Sequence, residues 1–138
     1  MFERVLVMMD FSEAALRALE TVKTHFPTAD ITLLHVLESS NLSEAFRTPS
    51  AGIGGTPRVR EARQDAWEAE VLTRLAELGG GEVLRGDPAE IALAHADRID
   101  LIAVGTGAKS GLSQLLFGSV ATRIVRDSPV PVLTVRAL

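Results

Sequence analysis

Short apolar runs separated by longer amphipathic stretches run through this chain. Val5 to Met9 is apolar with no polar alternation, which suits a strand covered on both faces. Ile31 to Leu37, Leu101 to Val104 and Val130 to Val135 read as further strands, and Glu82 to Arg85 as a short, weak one. Pro131 cannot donate a ladder hydrogen bond, so it favours an edge or a strand start. Between these runs the spacing turns helical. Ser12 is placed to cap a helix on which Ala15, Leu16, Leu19 and Val22 recur, and Pro27 ends it. The longest helical pattern runs from Arg58 to Leu78 and is stopped by Gly79-Gly-Gly81. Asp87 caps a helix whose first position is Pro88, continuing over Ala89 to Ala96, and Leu112 to Val125 supplies another.

The resulting order is βαβαβαβαβ. Right-handed crossovers of this kind give an α/β, doubly wound, five-stranded parallel sheet with helices on both faces. Such sheets bind ligands beyond the carboxyl ends of their strands, where the strand order reverses. Asp10, Leu37-Glu38 and Gly105 all fall at strand ends of that kind.

At 138 residues the chain is expected to form a single domain, 1–138. A Ser-, Gly-, Thr- and Pro-rich stretch over 39–57 reads as a lid or as a flexible surface insertion. The hydrophobic content of 46% excludes general disorder, and a net charge of -4 gives no electrostatic reason for a nucleic-acid or anionic-lipid partner. Cysteine is absent, which excludes disulfides and thiolate metal sites. The N-terminal apolar stretch is too short for a secretory signal, and no run reaches the roughly eighteen apolar residues of a membrane span. A cytoplasmic location is the expectation.

The chemistry concentrates in Gly105-Thr-Gly-Ala-Lys-Ser-Gly and in Gly118-Ser119, thirteen residues on from Gly105. A strand, a glycine-rich turn and a helix start are the parts of a phosphate cradle, because small residues let backbone N–H groups approach an anion. The same glycines also suit an ordinary βα turn. The three histidines, His25, His35 and His95, show no metal-ligand spacing and read as packing or surface residues. Trp67, the sole tryptophan, reads as a packing or interface anchor.

Val5-Leu-Val-Met-Met-Asp-Phe-Ser-Glu13, Leu33-Leu-His-Val36, Gly86-Asp-Pro-Ala-Glu-Ile91, Asp100-Leu-Ile-Ala-Val-Gly105, Gly118-Ser-Val-Ala and Ser128-Pro-Val-Pro-Val-Leu133 together resemble the universal stress protein family. The resemblance implies strand order 3-2-1-4-5 and, in the nucleotide-binding branch, ATP held by Gly, two residues, Gly, nine residues, then Gly-Ser or Gly-Thr. Gly105 and Gly118-Ser119 fit that pattern. Ala108 stands where the second glycine belongs, and Gly107 lies one residue early.

By resemblance, Gly105, Gly107, Ala108 and Gly118 present N–H groups to the triphosphate, with Val120 beside them. Ser119 reaches a phosphate oxygen or Mg²⁺, or simply begins a helix. Lys109 offers a mobile charge or is a solvated surface lysine. Asp10 meets the adenine or ribose end, or caps the following helix with Ser12. Val36 offers backbone to the adenine edge. Phe11 replaces a small residue and either covers the base or fills the crevice.

The function implied is an ATP-binding regulatory protein of stress response, acting through nucleotide-dependent conformation or dimer state. ATP is its cofactor, with Mg²⁺ as an optional companion. A nucleotide-free homodimeric interaction module and a slow ATPase are the alternatives; no side chain stands out as an activated base, so a dedicated enzyme is not the reading. The expected partners are a second copy, through the terminal strand 131–136, and an unidentified downstream protein.

Overall fold

The strands form where β-branched and leucine residues cluster in runs too short for a helix. They are β1 (Arg4–Met8), β2 (Asp30–Leu37), β3 (Glu82–Arg85), β4 (Leu101–Thr106) and β5 (Val132–Arg136). Among the described residues, four helices alternate with them: α1 (Glu13–His25), α2 (Pro57–Glu77), α3 (Pro88–Ala94) and α4 (Ser119–Asp127). A 3₁₀ turn over Ala96–Arg98 follows α3, so the helical segment expected to reach Ala96 ends earlier. This computed structural model describes residues 2–38, 57–106 and 118–137. The expected insertion over 39–57, apart from Pro57, and positions 112–117 of the helix expected over Leu112 to Val125 lie outside them. The described part of that helix begins only at Ser119, because Gly118 at φ 83° is not helical.

All five strands are parallel, in the order β3-β2-β1-β4-β5. The doubly wound topology expected from the alternation of runs is therefore the one adopted. One face packs Val5, Val7, Leu33, Leu101 and Ala103 against Ala15, Ala18, Leu19 and Val22 of α1 and Val71 and Leu75 of α2. The other packs Leu6, Leu34, Ile102 and Val104 against Ala89 and Ala92 of α3 and Ala121 and Ile124 of α4. Alternate residues of one strand thus serve opposite layers, as the period of two demands. Burying both sides of β1 is what makes its sequence an uninterrupted apolar run.

Local signals fix where the helices begin. Ser12 Oγ accepts the Ala15 N–H at 3.1 Å and Asp87 Oδ1 accepts the Glu90 N–H at 3.0 Å. Each satisfies a donor that the first turn of a helix leaves unpaired. At the amino end of the sheet, the Asp100 carboxylate accepts N–H groups of Glu3 (3.1 Å) and Arg4 (2.9 Å), and Asp100 N–H donates to Arg4 O (2.8 Å). Those two backbone donors, helped by the Arg4 guanidinium, hold its carboxyl below the usual aspartate value. Among the described residues no helix is long and apolar enough to cross a membrane.

Candidate functional site

β1 is the shortest path through the middle of the sheet, and its two neighbours outrun it. Pairing with β2 ends at Met8↔Leu34, while β2 continues to Leu37. Pairing with β4 ends at Val7↔Ala103, while β4 continues to Thr106. Each neighbour therefore overshoots by three residues, and the chain leaving β1 opens a notch between them. With strands about 4.8 Å apart, a gap of one strand is roughly 9–10 Å wide between β2 and β4 backbones. This lies at the carboxyl ends, at the point where the strand order reverses.

Val36 and Gly105 flank that notch. Met9 N–H donates to Leu34 O at 2.8 Å, so Leu34 turns its backbone toward β1. The alternation of a parallel strand gives Val36 the same direction, past the end of the ladder. The Val36 side chain meanwhile packs on the α3/α4 layer. Ile102 N–H bonds to Pro131 O on the β5 side, which turns Ala103 and then Gly105 toward β1.

Gly105 is not part of a turn, as the sequence pattern had it; it is a strand residue in register with Val135. Its lack of a side chain has a definite cause. A Cβ there would lie 2.5 Å from both Ala14 C and Ala15 N. The first turn of α1 crosses β4 so closely that only glycine fits.

Gly118 is a glycine for another reason. It stands at φ 83°, ψ 155° as the residue before α4, in a region open essentially to glycine alone. Nothing lies within 4 Å of where its Cβ would be, among the described residues. No side chain among them caps α4, unlike α1 and α3. Ser119 is the exposed first residue of α4, with Val120 half-buried against the α3/α4 layer. The first N–H groups of this helix, at the positive end of its dipole, have no side-chain acceptor among the described residues. Gly107, Ala108 and Lys109 lie outside the described residues.

Asp10 is exposed and uses Oδ1 to accept the Ser12 N–H at 2.9 Å. This closes a tight turn directly ahead of the Ser12 cap, and an ionised carboxylate keeps acceptor capacity beyond one such bond. Phe11, between them, has φ 63° and is the one residue other than glycine with positive φ among those described.

Its ring packs with the α1/α2 layer, 5.3 Å from the His35 ring centroid, with Arg74 Cζ 4.0 Å from its own centroid. Asp10, Val36 and Gly105 thus border one notch and Gly118–Val120 begin the helix at the same end of the sheet. The Phe11 ring is turned to the α1/α2 side.

Two residues beside Phe11 were invisible as site residues in the sequence. His35 Nδ1 lies 2.7 Å from Met9 O, donating when that nitrogen carries the proton. Arg74 comes from α2, 63 positions away in the chain, and nothing in its local sequence marks it.

The family model for the universal stress protein family matches residues 1–136. The chain belongs to the universal stress protein family. The "stress response protein NhaX" of Bacillus subtilis is 30% identical over 164 residues, covering 97% of this chain and 98% of that one. A universal stress protein of Thermus aquaticus is 30% identical over 138 residues, covering 99% and 100%. Among solved structures, protein MJ0577 of Methanocaldococcus jannaschii superposes with a TM-score of 0.69 at 25% identity, covering 99% of this chain and 96% of its own. The UspA protein of Lactobacillus plantarum, at 22% identity, gives 0.64 and covers 97% of each. The universal stress protein fold therefore extends over nearly the whole chain.

Proposed function

We propose that this universal stress protein binds an adenine nucleotide, ATP in the first place, across the notch between β2 and β4. The observation that carries the reading is the α4 start. A glycine in a conformation closed to other residues stands exposed at the head of α4, ahead of the Ser119 and Val120 N–H groups, with no side-chain cap among the described residues. An oxyanion of the triphosphate is the partner such a helix start takes. Gly107, Ala108 and Lys109 belong to the same loop in sequence and would complete the cradle.

The acceptor capacity of Asp10 and the ladder-free backbone of Val36 suit the amino edge of adenine or the ribose hydroxyls. A universal stress protein with the same fold, 22% identical, was crystallised in complex with cAMP, so the fold admits an adenine nucleotide. Mg²⁺ would enter with the triphosphate, and by resemblance the Ser119 hydroxyl would be the side chain to meet it. Occupancy would favour one conformation or dimer arrangement, which is how a stress-response regulator reports its state.

Equilibrium titration with ATP, with and without Mg²⁺, tests this directly. A saturable signal below millimolar ATP, weakened in Ser119→Ala, is expected. Absence of binding at millimolar ATP would reject it, and adenine nucleotide released from freshly purified protein would support it independently.

One observation favours a homodimer beside this reading. Among the described residues β5 pairs only with β4 and presents its outer edge, with Val132, Leu133 and Thr134 half-buried, as a strand edge that pairs or is covered in stable proteins. Sedimentation over a range of concentrations should show a dimer formed through residues 131–136. A monomer at every concentration would remove it.

A further inference from the structure

We infer that Phe11, His35 and Arg74 form a clamp that sets the turn carrying Asp10, and so act as positioning residues for the base-and-sugar end of the site; this rests on the nucleotide reading above. Phe11 holds φ 63°, a conformation that a bulky side chain keeps only when its surroundings impose it. The surroundings are specific. The ring lies 5.3 Å from that of His35, tilted by 32°, and the Arg74 guanidinium carbon sits 4.0 Å from its centroid. Arg74 has no carboxylate partner among the described residues, so its stacking on Phe11 is its described engagement.

His35 serves the same turn a second time. In a continued ladder Met9 O would accept the Val36 N–H; here His35 Nδ1 lies 2.7 Å from it. The strand ends, and the backbone of Val36 is left beside the notch. Each residue of the turn is therefore tied down. Met9 is held through Leu34 and His35, Phe11 through its two ring contacts, and Ser12 through Asp10 and the α1 cap.

Rotating the turn to re-aim Asp10 requires Phe11 to leave Arg74. The ring is also drawn toward the α1/α2 layer, while Val36 packs on the opposite layer. A large residue is thereby accommodated at this position without being aimed across the notch.

A double-mutant cycle on ATP affinity separates positioning from general support. Asp10→Asn keeps an oxygen for the Ser12 N–H and removes the charge, so the turn survives the change. Arg74→Met removes the stacked cation from an exposed position, and Phe11→Gly removes the ring at a φ that glycine accepts freely. ATP affinity should fall about threefold in Arg74→Met and about tenfold in Phe11→Gly. Neither change should lower it further once Asp10 is already Asn.

Unchanged affinity in both single variants overturns the clamp. So do losses that add fully to that of Asp10→Asn, or an Asp10→Asn variant that binds as well as the parent. Parent protein that binds no ATP sinks the nucleotide reading itself, a different result from binding that ignores Arg74 and Phe11.

Discussion

At Gly105 an added Cβ would sit 2.5 Å from the backbone of α1; at Gly118 it would meet nothing within 4 Å among the described residues. The two glycines occupy one spacing in the sequence, and a single chemical explanation had been natural for both. Gly105 is a packing glycine, fixed by how closely α1 crosses β4. Gly118 is a conformational glycine, fixed by φ 83° at the head of a helix with no side-chain cap among the described residues. The difference teaches that a glycine at a strand end need not face a ligand. Only the second has no close neighbour among the described residues, and it is there that the proposed phosphate contact belongs.

Gly105→Ala should produce the largest effect, a loss of about 3 kcal/mol in unfolding free energy by denaturant titration, because backbone rather than a flexible side chain blocks the methyl. A variant that unfolds like the parent yet loses ATP would return Gly105 to the ligand. Gly118→Ala should cost about 2 kcal/mol through backbone strain alone. Its affinity for ATP should fall as well, since the turn delivers the Ser119 and Val120 N–H groups. Equal affinity with lowered stability would separate this helix start from phosphate.

The contrast between capped and uncapped helices gives a smaller effect. Ser12→Ala should lose about 1 kcal/mol, read as a lowered urea midpoint. Ser119→Ala, exposed and without a cap bond, should leave that midpoint within about 0.5 kcal/mol of the parent while weakening ATP. The least effect is expected far from the site.

Asp100 has a folded-state pKa below the usual aspartate value because it accepts the Arg4 and Glu3 N–H groups. Its stabilising contribution is therefore present above that value and lost as pH falls through the lower, folded-state one. Asp100→Asn should remove part of the acid limb of the stability–pH curve, measured below about pH 4. An unchanged limb would show that the two N–H bonds do not favour the charged form.

Much of the sheet could be read from the chain because its central strands are buried on both faces. Burial of that kind leaves apolar runs, and the crossover rule then allows few topologies. Ser12 and Asp87 were legible as caps because a cap is a local hydrogen bond between near neighbours. The continuation of β4 through Gly105 and Thr106 was not, since glycine reads as a turn until a neighbouring strand pairs with it. For Asp10 the sequence allows either a helix cap shared with Ser12 or a ligand residue. Ser12 alone makes the cap bond, while one Asp10 oxygen closes the turn ahead of it and capacity remains for a ligand.

By itself, then, the sequence determined the order of elements, the parallel sheet and the two helix caps at Ser12 and Asp87, because periodicity and capping act over a few residues. Tertiary structure alone decided which glycine is crowded by α1 and which opens to solvent. It also brought Arg74 and His35 to Phe11. Those outcomes depend on distances between segments far apart in the chain, and no local pattern encodes them.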